Sequence, residues 1–371
     1  MSKNKKNNQP EPQTLLSVKK PGMSAIRLFL TVIVVFIYGQ TVNFEFTLDD
    51  DLFYVKHRSV QEGLSGVSDI FTNGSLNGFD GTTGVQPYRP VTLTVFAIQK
   101  QFFDNSPYAA HTVNLLLYVL TLQVLVSLLI RLFPDWNKWM IAFVALLFAV
   151  HPIHTEVVSS VKSMDELLAA LFGLLAWKSF LSNKKEEKLS YINMGIGAGW
   201  FFLALLSKES AIAFLIIIPF TYYLLIDSNL KTTLKYFGLL LLTSGLFMFM
   251  RYKAIGTAPT NIMDPMLDNI LYRAKGFAEI TATKSQILFY YIKLLFVPWP
   301  LSWDYSYNQI PIINLSNPIP WIAIVIHLGL LLTAIKYFKK HPVISFAILF
   351  FLITSSPTNN FFIKNVTTFG E

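Results

Sequence analysis

Apolar runs of about 20 residues recur along this chain. A run of that length crosses a bilayer as a helix, because hydrocarbon offers the backbone no other hydrogen-bond partner. Such runs lie at roughly 25–43, 110–132, 138–156, 163–182, 190–206, 210–226, 234–250, 320–338 and 342–356, and a weaker segment at 284–298 carries Lys284 and Lys293. The pattern predicts an all-α, polytopic membrane protein of about nine to ten transmembrane helices. Only 14% of the 371 residues are charged, against about 25% in a soluble domain, and the mean hydropathy is +0.47. With no cysteine, disulfides, thiolate metal sites and a cysteine nucleophile are excluded. No small-x-small cleavage site follows the first run, which therefore reads as a retained anchor. Residues 1–22 read as a disordered cytoplasmic tail.

Basic residues beside the spans set the orientation. Lys3, Lys5, Lys6, Lys19, Lys20 and Arg27 place the head in the cytoplasm. Counting forward leaves Arg131 with Lys138, then Lys184, Lys185 and Lys188, then Lys231 and Lys235 on that same side. If 284–298 lies in the interface or re-enters, Lys336, Lys339 and Lys340 stay inside as well. Two external regions follow, about 44–108 and 251–319, within one transmembrane domain spanning 23–371. The basic cytoplasmic loops account for the net charge of +8 without a nucleic-acid surface. No Walker sequence occurs, and "GIGAG" at 195–199 sits inside an apolar run, where small residues pack helices rather than cradle phosphate.

Polar groups at membrane depth are costly and usually face a cavity or pathway. Here they fall mostly on the predicted outer face: Asp49, Asp50 and Asp51; Arg89 in "QPYRPVTLT"; "HPIHTEVVSSVKSMDELLAALF" at 151–172; and Lys208 in "LLSKESAIAF". The acidic triplet is either a solvated capping loop or a base kept near the bilayer surface. Arg89 is either an interfacial anchor or a bidentate partner for a phosphate, and Lys208 is either a snorkelling cation or a second phosphate contact. Asp165 opens a helix, with Ser163 as the expected N-cap. His151, His154 and Glu156 are a weak metal signal, since the order is not H-E-x-x-H. Lining of a cavity, or capping of the turn, suits them better. No metal ligand is assigned, and a divalent metal requirement is left open.

In this order, "FTLDDD", "YRPVTLTVFAI", "HTVNLLLY", "HPIHTEVVSSVKSMDELLAALF", "LLSKESAIAF" and "PLSWDYSYNQIP" resemble an integral-membrane glycosyltransferase of the GT-C superfamily. More narrowly, they resemble the transmembrane, tetratricopeptide-repeat-linked O-mannosyltransferases and their bacterial relatives, over roughly residues 25–371. The resemblance implies inverting transfer of a sugar, by family pattern mannose, from a polyprenyl-phosphate donor to a protein or glycan acceptor hydroxyl. It places that reaction at the extracytoplasmic face, in a bacterial chain the periplasmic side of the inner membrane. It also implies that Asp49, with Asp50 beside it, activates the acceptor and that Arg89 and Lys208 meet the donor phosphate; His151, His154, Glu156 and Asp165 are expected from their position at membrane depth to line the cavity. The triple Asp departs from the family's pair. The helical repeats are absent from these 371 residues, and Glu371 reads as an internal position of a longer family chain. The partners expected are the lipid-linked donor, the acceptor and the bilayer, with no nucleic acid. A transporter is the competing class, but transporters place their polar residues at the midplane of paired repeats, and the two halves here do not look alike.

Overall fold

A computed structural model describes residues 22–76, 87–181, 190–256, 269–302, 305, 309–360 and 369. The expected tail apart from Gly22, the lysines at 184–188 and Glu371 lie outside these residues. Fourteen α-helices are used here: α1 (Met23–Tyr38), α2 (Arg58–Gln61), α3 (Val67–Thr72), α4 (Pro90–Phe103), α5 (Pro107–Leu132), α6 (Lys138–Val150), α7 (Thr155–Ser159), α8 (Met164–Phe180), α9 (Tyr191–Ser207), α10 (Phe214–Thr221), α11 (Leu230–Ile255), α12 (Gly276–Phe296), α13 (Pro318–Tyr337) and α14 (Pro342–Ser355). No strand occurs among the described residues, and the protein is all-α, as expected.

Each apolar stretch falls on a helix, but not every helix is a full span. Five are long and apolar enough to cross a membrane: Met23–Asn43, Pro107–Leu132, Glu209–Ile226, Leu230–Ile255 and Pro318–Tyr337. A sixth is formed if α6 and Pro152–Ser159, bent by 48° at the break, count as one span. α9 and α14 are apolar but shorter. α12, the weak segment, is not among the spanning helices. Outward faces such as Phe36, 87% exposed, and Leu242 and Val325 carry large apolar side chains with no protein cover, as a lipid-facing surface requires.

α1 runs antiparallel to α5. Arg27 at the start of α1 donates to Gln123 O (3.2 Å) and Ser127 Oγ (2.8 Å) late in α5, while Tyr38 packs edge-on against Tyr118 near the other end. Arg131, in the last turn of α5, donates to Leu181 O at the end of α8. Arg27 and Arg131 therefore share one end of the bundle, and the acidic triplet after α1 sits at the other. The region expected as an external loop, 44–108, is itself built. Tyr54, Val60, Ile70, Leu93 and Phe96 form a core with Met164 and Leu168 at the start of α8.

The "GIGAG" stretch packs helices. A methyl group added at Gly197 would lie 2.7 Å from the Phe180 ring, whereas one at Gly199 would meet nothing within 4 Å. α9 thus needs glycine at 197 to lie against α8. Gly197→Val is expected to destabilise by about 1–3 kcal/mol through overpacking, and Gly199→Val by much less. Thermal unfolding of both variants in detergent checks this; equal losses would contradict the packing account.

Candidate active site

Three helix ends converge on one cluster. Arg89 stands at the N-cap of α4, where Pro90 occupies the first helical position, a place that needs no N–H. Asp165 and Glu166 lie in the first turn of α8, where the helix dipole favours negative charge. Lys208 is the C-cap of α9, where it favours positive charge. Thr92 Oγ1 donates to Ser207 O (3.1 Å), tying α4 to the carbonyl end of α9. The expected cap at Ser163 is corrected: Ser163 holds the N-cap position of α8, but its side chain makes no capping bond. What occupies Asp165 instead is a pair of cations from other helices.

Arg89 Nη1 lies 2.5 Å from Asp165 Oδ2, and Arg89 Nε lies 3.1 Å from Glu209 Oε2. Lys208 Nζ lies 2.6 Å from Glu166 Oε1 and 3.7 Å from Asp165 Oδ1. Asp165 and Lys208 are buried, so the network sits in low dielectric, where ion pairs are weakly screened. Glu209 also accepts from the Tyr88 backbone N–H (3.0 Å), and Arg89 N donates to Ser75 Oγ (2.9 Å). Burial raises the Tyr88 phenol above its ordinary range. Burial also lowers the His57 imidazole, which the nearby Asp69 carboxylate only partly offsets.

The acidic triplet, uniform in sequence, is three different things in space. Asp50 has no exposed surface. Its Oδ1 accepts from the Lys162 backbone N–H (2.7 Å) and Ser160 Oγ (3.3 Å), and its Oδ2 from Thr47 N (3.2 Å). Asp51 pairs with Lys56 at the surface (2.8 Å). Asp49 is exposed, and the residue before it, Leu48, holds φ at +51°. A bulky residue in the left-handed region stores strain of order 1–3 kcal/mol, a feature that clusters at functional sites. Lys162 joins the two halves: its backbone N–H holds Asp50, and the residue lines a narrow pocket with Phe53, Arg89, Phe96 and Asp165.

The structure therefore brings Asp50, Arg89, Asp165 and Lys208 into one neighbourhood, with Asp49 directly beside Asp50. His151, His154 and Glu156 lie on the bend between α6 and α7. His151 Nε2 is 3.1 Å from Leu295 O, and His154 Nδ1 is 2.8 Å from Phe148 O and 3.0 Å from the Tyr118 hydroxyl; Glu156 is exposed. Among the described residues, no group of three or more His, Asp or Glu is arranged to hold a metal ion. Sequence reasoning passed over Glu166 and Glu209, although each directly follows a residue it chose. It also passed over Asn114, buried on α5, whose Nδ2 donates to Ser160 O (2.5 Å) behind Asp50.

Comparison with known proteins agrees with the resemblance. Protein O-mannosyl-transferase TMTC4 of Homo sapiens is 26% identical over 397 aligned residues, covering 91% of this chain and 52% of the relative. Protein O-mannosyl-transferase F38B6.6 of Caenorhabditis elegans is 26% identical over 84% of the chain and 44% of the relative. These proteins are its homologues. Protein O-mannosyl-transferase TMTC1 of Homo sapiens is 33% identical over a shorter stretch of 144 residues, 38% of the chain and 16% of the relative. The chain spans about half the length, or less, of these relatives. No family model and no solved structure matches it.

Removing one partner of a buried ion pair strands the other charge and costs about 3–5 kcal/mol, while an exposed pair is worth about 0–1 kcal/mol. Asp165→Asn, which abandons both Arg89 and Lys208, is therefore expected to lower the unfolding midpoint far more than Asp51→Asn, which loses only a surface pair. Fluorescence-monitored unfolding in detergent compares them, and equal midpoints would contradict a structural role for the network.

Proposed function

We propose that the chain is a glycosyltransferase that moves a sugar, mannose on the family reading, from a polyprenyl-phosphate carrier to a Ser or Thr hydroxyl of a protein. The observation that carries this is the link, at one end of a membrane bundle, between buried Asp50, held by the Lys162 backbone, and the Arg89–Asp165–Lys208 charge network, joined through a pocket that Arg89, Lys162 and Asp165 line. The printed names of the homologues, protein O-mannosyl-transferases, support the same chemistry. Arg27 and Arg131 at the opposite end support a cytoplasmic assignment for that end and an extracytoplasmic one for the pocket, which faces the periplasm if the membrane is a bacterial inner membrane.

In the proposed reaction Asp49 takes the proton of the acceptor hydroxyl as its oxygen forms a bond to the anomeric carbon. The bond from that carbon to the phosphate oxygen breaks, and the electron pair leaves with the carrier phosphate. Arg89 and Lys208 stabilise the charge that develops there. One displacement inverts the anomeric centre and needs no covalent enzyme intermediate. The division of labour between the first two aspartates follows from their surroundings. Asp49 is open to an acceptor and is presented by the strained Leu48. Asp50, with three donors on its two oxygens, is the clamp that fixes the segment to the 160–162 turn. The reading of Asp49 as base also agrees with the family pattern.

Transfer of radiolabelled mannose from polyprenyl phosphate to protein in reconstituted membranes tests this. Asp49→Asn is expected to lose about 10²- to 10⁴-fold in kcat while keeping the wild-type unfolding midpoint; Asp50→Asn is expected to lower both activity and midpoint. Undiminished transfer in Asp49→Asn would remove the proposed base. Label recovered in lipid or polysaccharide rather than protein would keep the chemistry and move the acceptor to a glycan.

A further inference from the structure

Arg89 and Lys208 are assigned to a phosphate, yet in the structure both already face carboxylates. Arg89, Lys162 and Asp165 line the pocket, and through their contacts three cations (Arg89, Lys162, Lys208) stand in one cluster with four carboxylates (Asp50, Asp165, Glu166, Glu209). An anion arriving here meets an acidic surplus, so one carboxylate must give way. The contacts say which.

Asp165 is held from two helices, with its side chain only 3% exposed and both Arg89 and Lys208 against it. Asp50 is locked by backbone and hydroxyl donors. Glu166 has its side chain 27% exposed but faces Lys208, not the guanidinium. Glu209 has its side chain 32% exposed and begins the short 3₁₀ turn Glu209–Ala213 after α9. Its two oxygens are gripped by consecutive residues: Oε1 by the Tyr88 backbone N–H at 3.0 Å and Oε2 by Arg89 Nε at 3.1 Å. Two N–H donors set side by side to hold two oxygens of one anion are equally a seat for two oxygens of a phosphate.

We infer that Glu209 is a displaceable counter-anion, occupying the Tyr88–Arg89 donor pair until the phosphodiester of the prenyl-linked sugar takes its place. The inference rests on the donor reading proposed above. It has a physical logic. A largely buried guanidinium that kept Asp165 but lost Glu209 with no anion in its place would be less stable, and a permanently filled site would bind nothing. Exchanging one anion for another keeps Arg89 neutralised in both states. Asp165, on the other edge of the guanidinium, holds Arg89 in place throughout the exchange. Glu209 is thus a positioning residue that trades donor affinity for stability of the empty enzyme.

The test is donor binding and turnover by the protein in nanodiscs, with polyprenyl-phosphate mannose as probe, for wild type, Glu209→Gln and Glu209→Asp. The amide cannot form the ion pair, and the shorter carboxylate does not reach Arg89. Both are expected to bind donor more tightly, by about three- to tenfold for Glu209→Gln, with KM lowered and kcat not raised. If Glu209→Gln does not fold, Glu209→Asp decides alone. Unchanged or weaker binding in a folded variant would overturn the inference while leaving the donor reading in place. A gain shared equally with phosphatidylglycerol or inorganic phosphate as competitor would also overturn it, since the seat would then take any phosphate. Failure of the wild type to bind the prenyl-linked sugar would remove the donor reading and this inference with it.

Discussion

The Arg89 guanidinium, held between Asp165 and Glu209, is the interaction on which the rest of the site depends. The charges of the network come from three separate stretches of chain, Arg89, Asp165 with Glu166, and Lys208 with Glu209, and none of the helix ends involved could be buried alone with its charge. Asp165 and Glu166 favour the start of α8, and Lys208 favours the end of α9, for dipole reasons that are worth only a few tenths to about 1 kcal/mol each. Burial would cost far more than that without partners. Crossing the pairs between helices turns the cost into a constraint on position. α4, α8 and α9 are joined where their charges meet, and Thr92 adds a hydrogen bond to the end of α9 at the same level.

Asp50 supplies the second constraint. The segment after α1 carries Leu48 at positive φ and would not hold that conformation unaided. Thr47, Ser160 and Lys162 donate to one buried carboxylate, which offsets the strain and docks the segment on the turn before α8. The clamp and the charge network share Lys162 at the pocket wall, so the position of Asp49 is tied to the position of Arg89. The outer surface of the bundle meanwhile stays apolar and uncovered, with Phe36, Leu242 and Val325 among its exposed side chains.

Much of this was legible in the sequence. The apolar runs located the helices, because backbone pairing in hydrocarbon leaves no alternative. Arg89, Asp165 and Lys208 stood out because a charge flanked by apolar residues needs a reason. What could not be read was which charge meets which. Glu209 and Glu166 drew no reading from the sequence, and only the fold shows that Glu209 reaches back to Tyr88 and Arg89, some 120 positions earlier. Asp49, Asp50 and Asp51 are indistinguishable as letters; the Lys162 N–H, distant in sequence, separates the buried one from its neighbours. The histidines at 151 and 154 share a helical spacing, but their partners are carbonyls and a tyrosine from other helices, which no local pattern announces. Span count was the coarsest reading. Length and hydropathy find the runs, whereas breaks such as that between α6 and Pro152–Ser159 depend on packing.

The most direct measurement is a structure of the protein in nanodiscs with a non-hydrolysable polyprenyl-phosphate sugar bound. The account predicts the phosphate against Arg89 and Lys208, within about 3 Å of the guanidinium, with the anomeric carbon turned toward Asp49. A donor lodged at the Arg27–Arg131 end of the bundle, or one whose phosphate leaves Arg89 untouched, would contradict it.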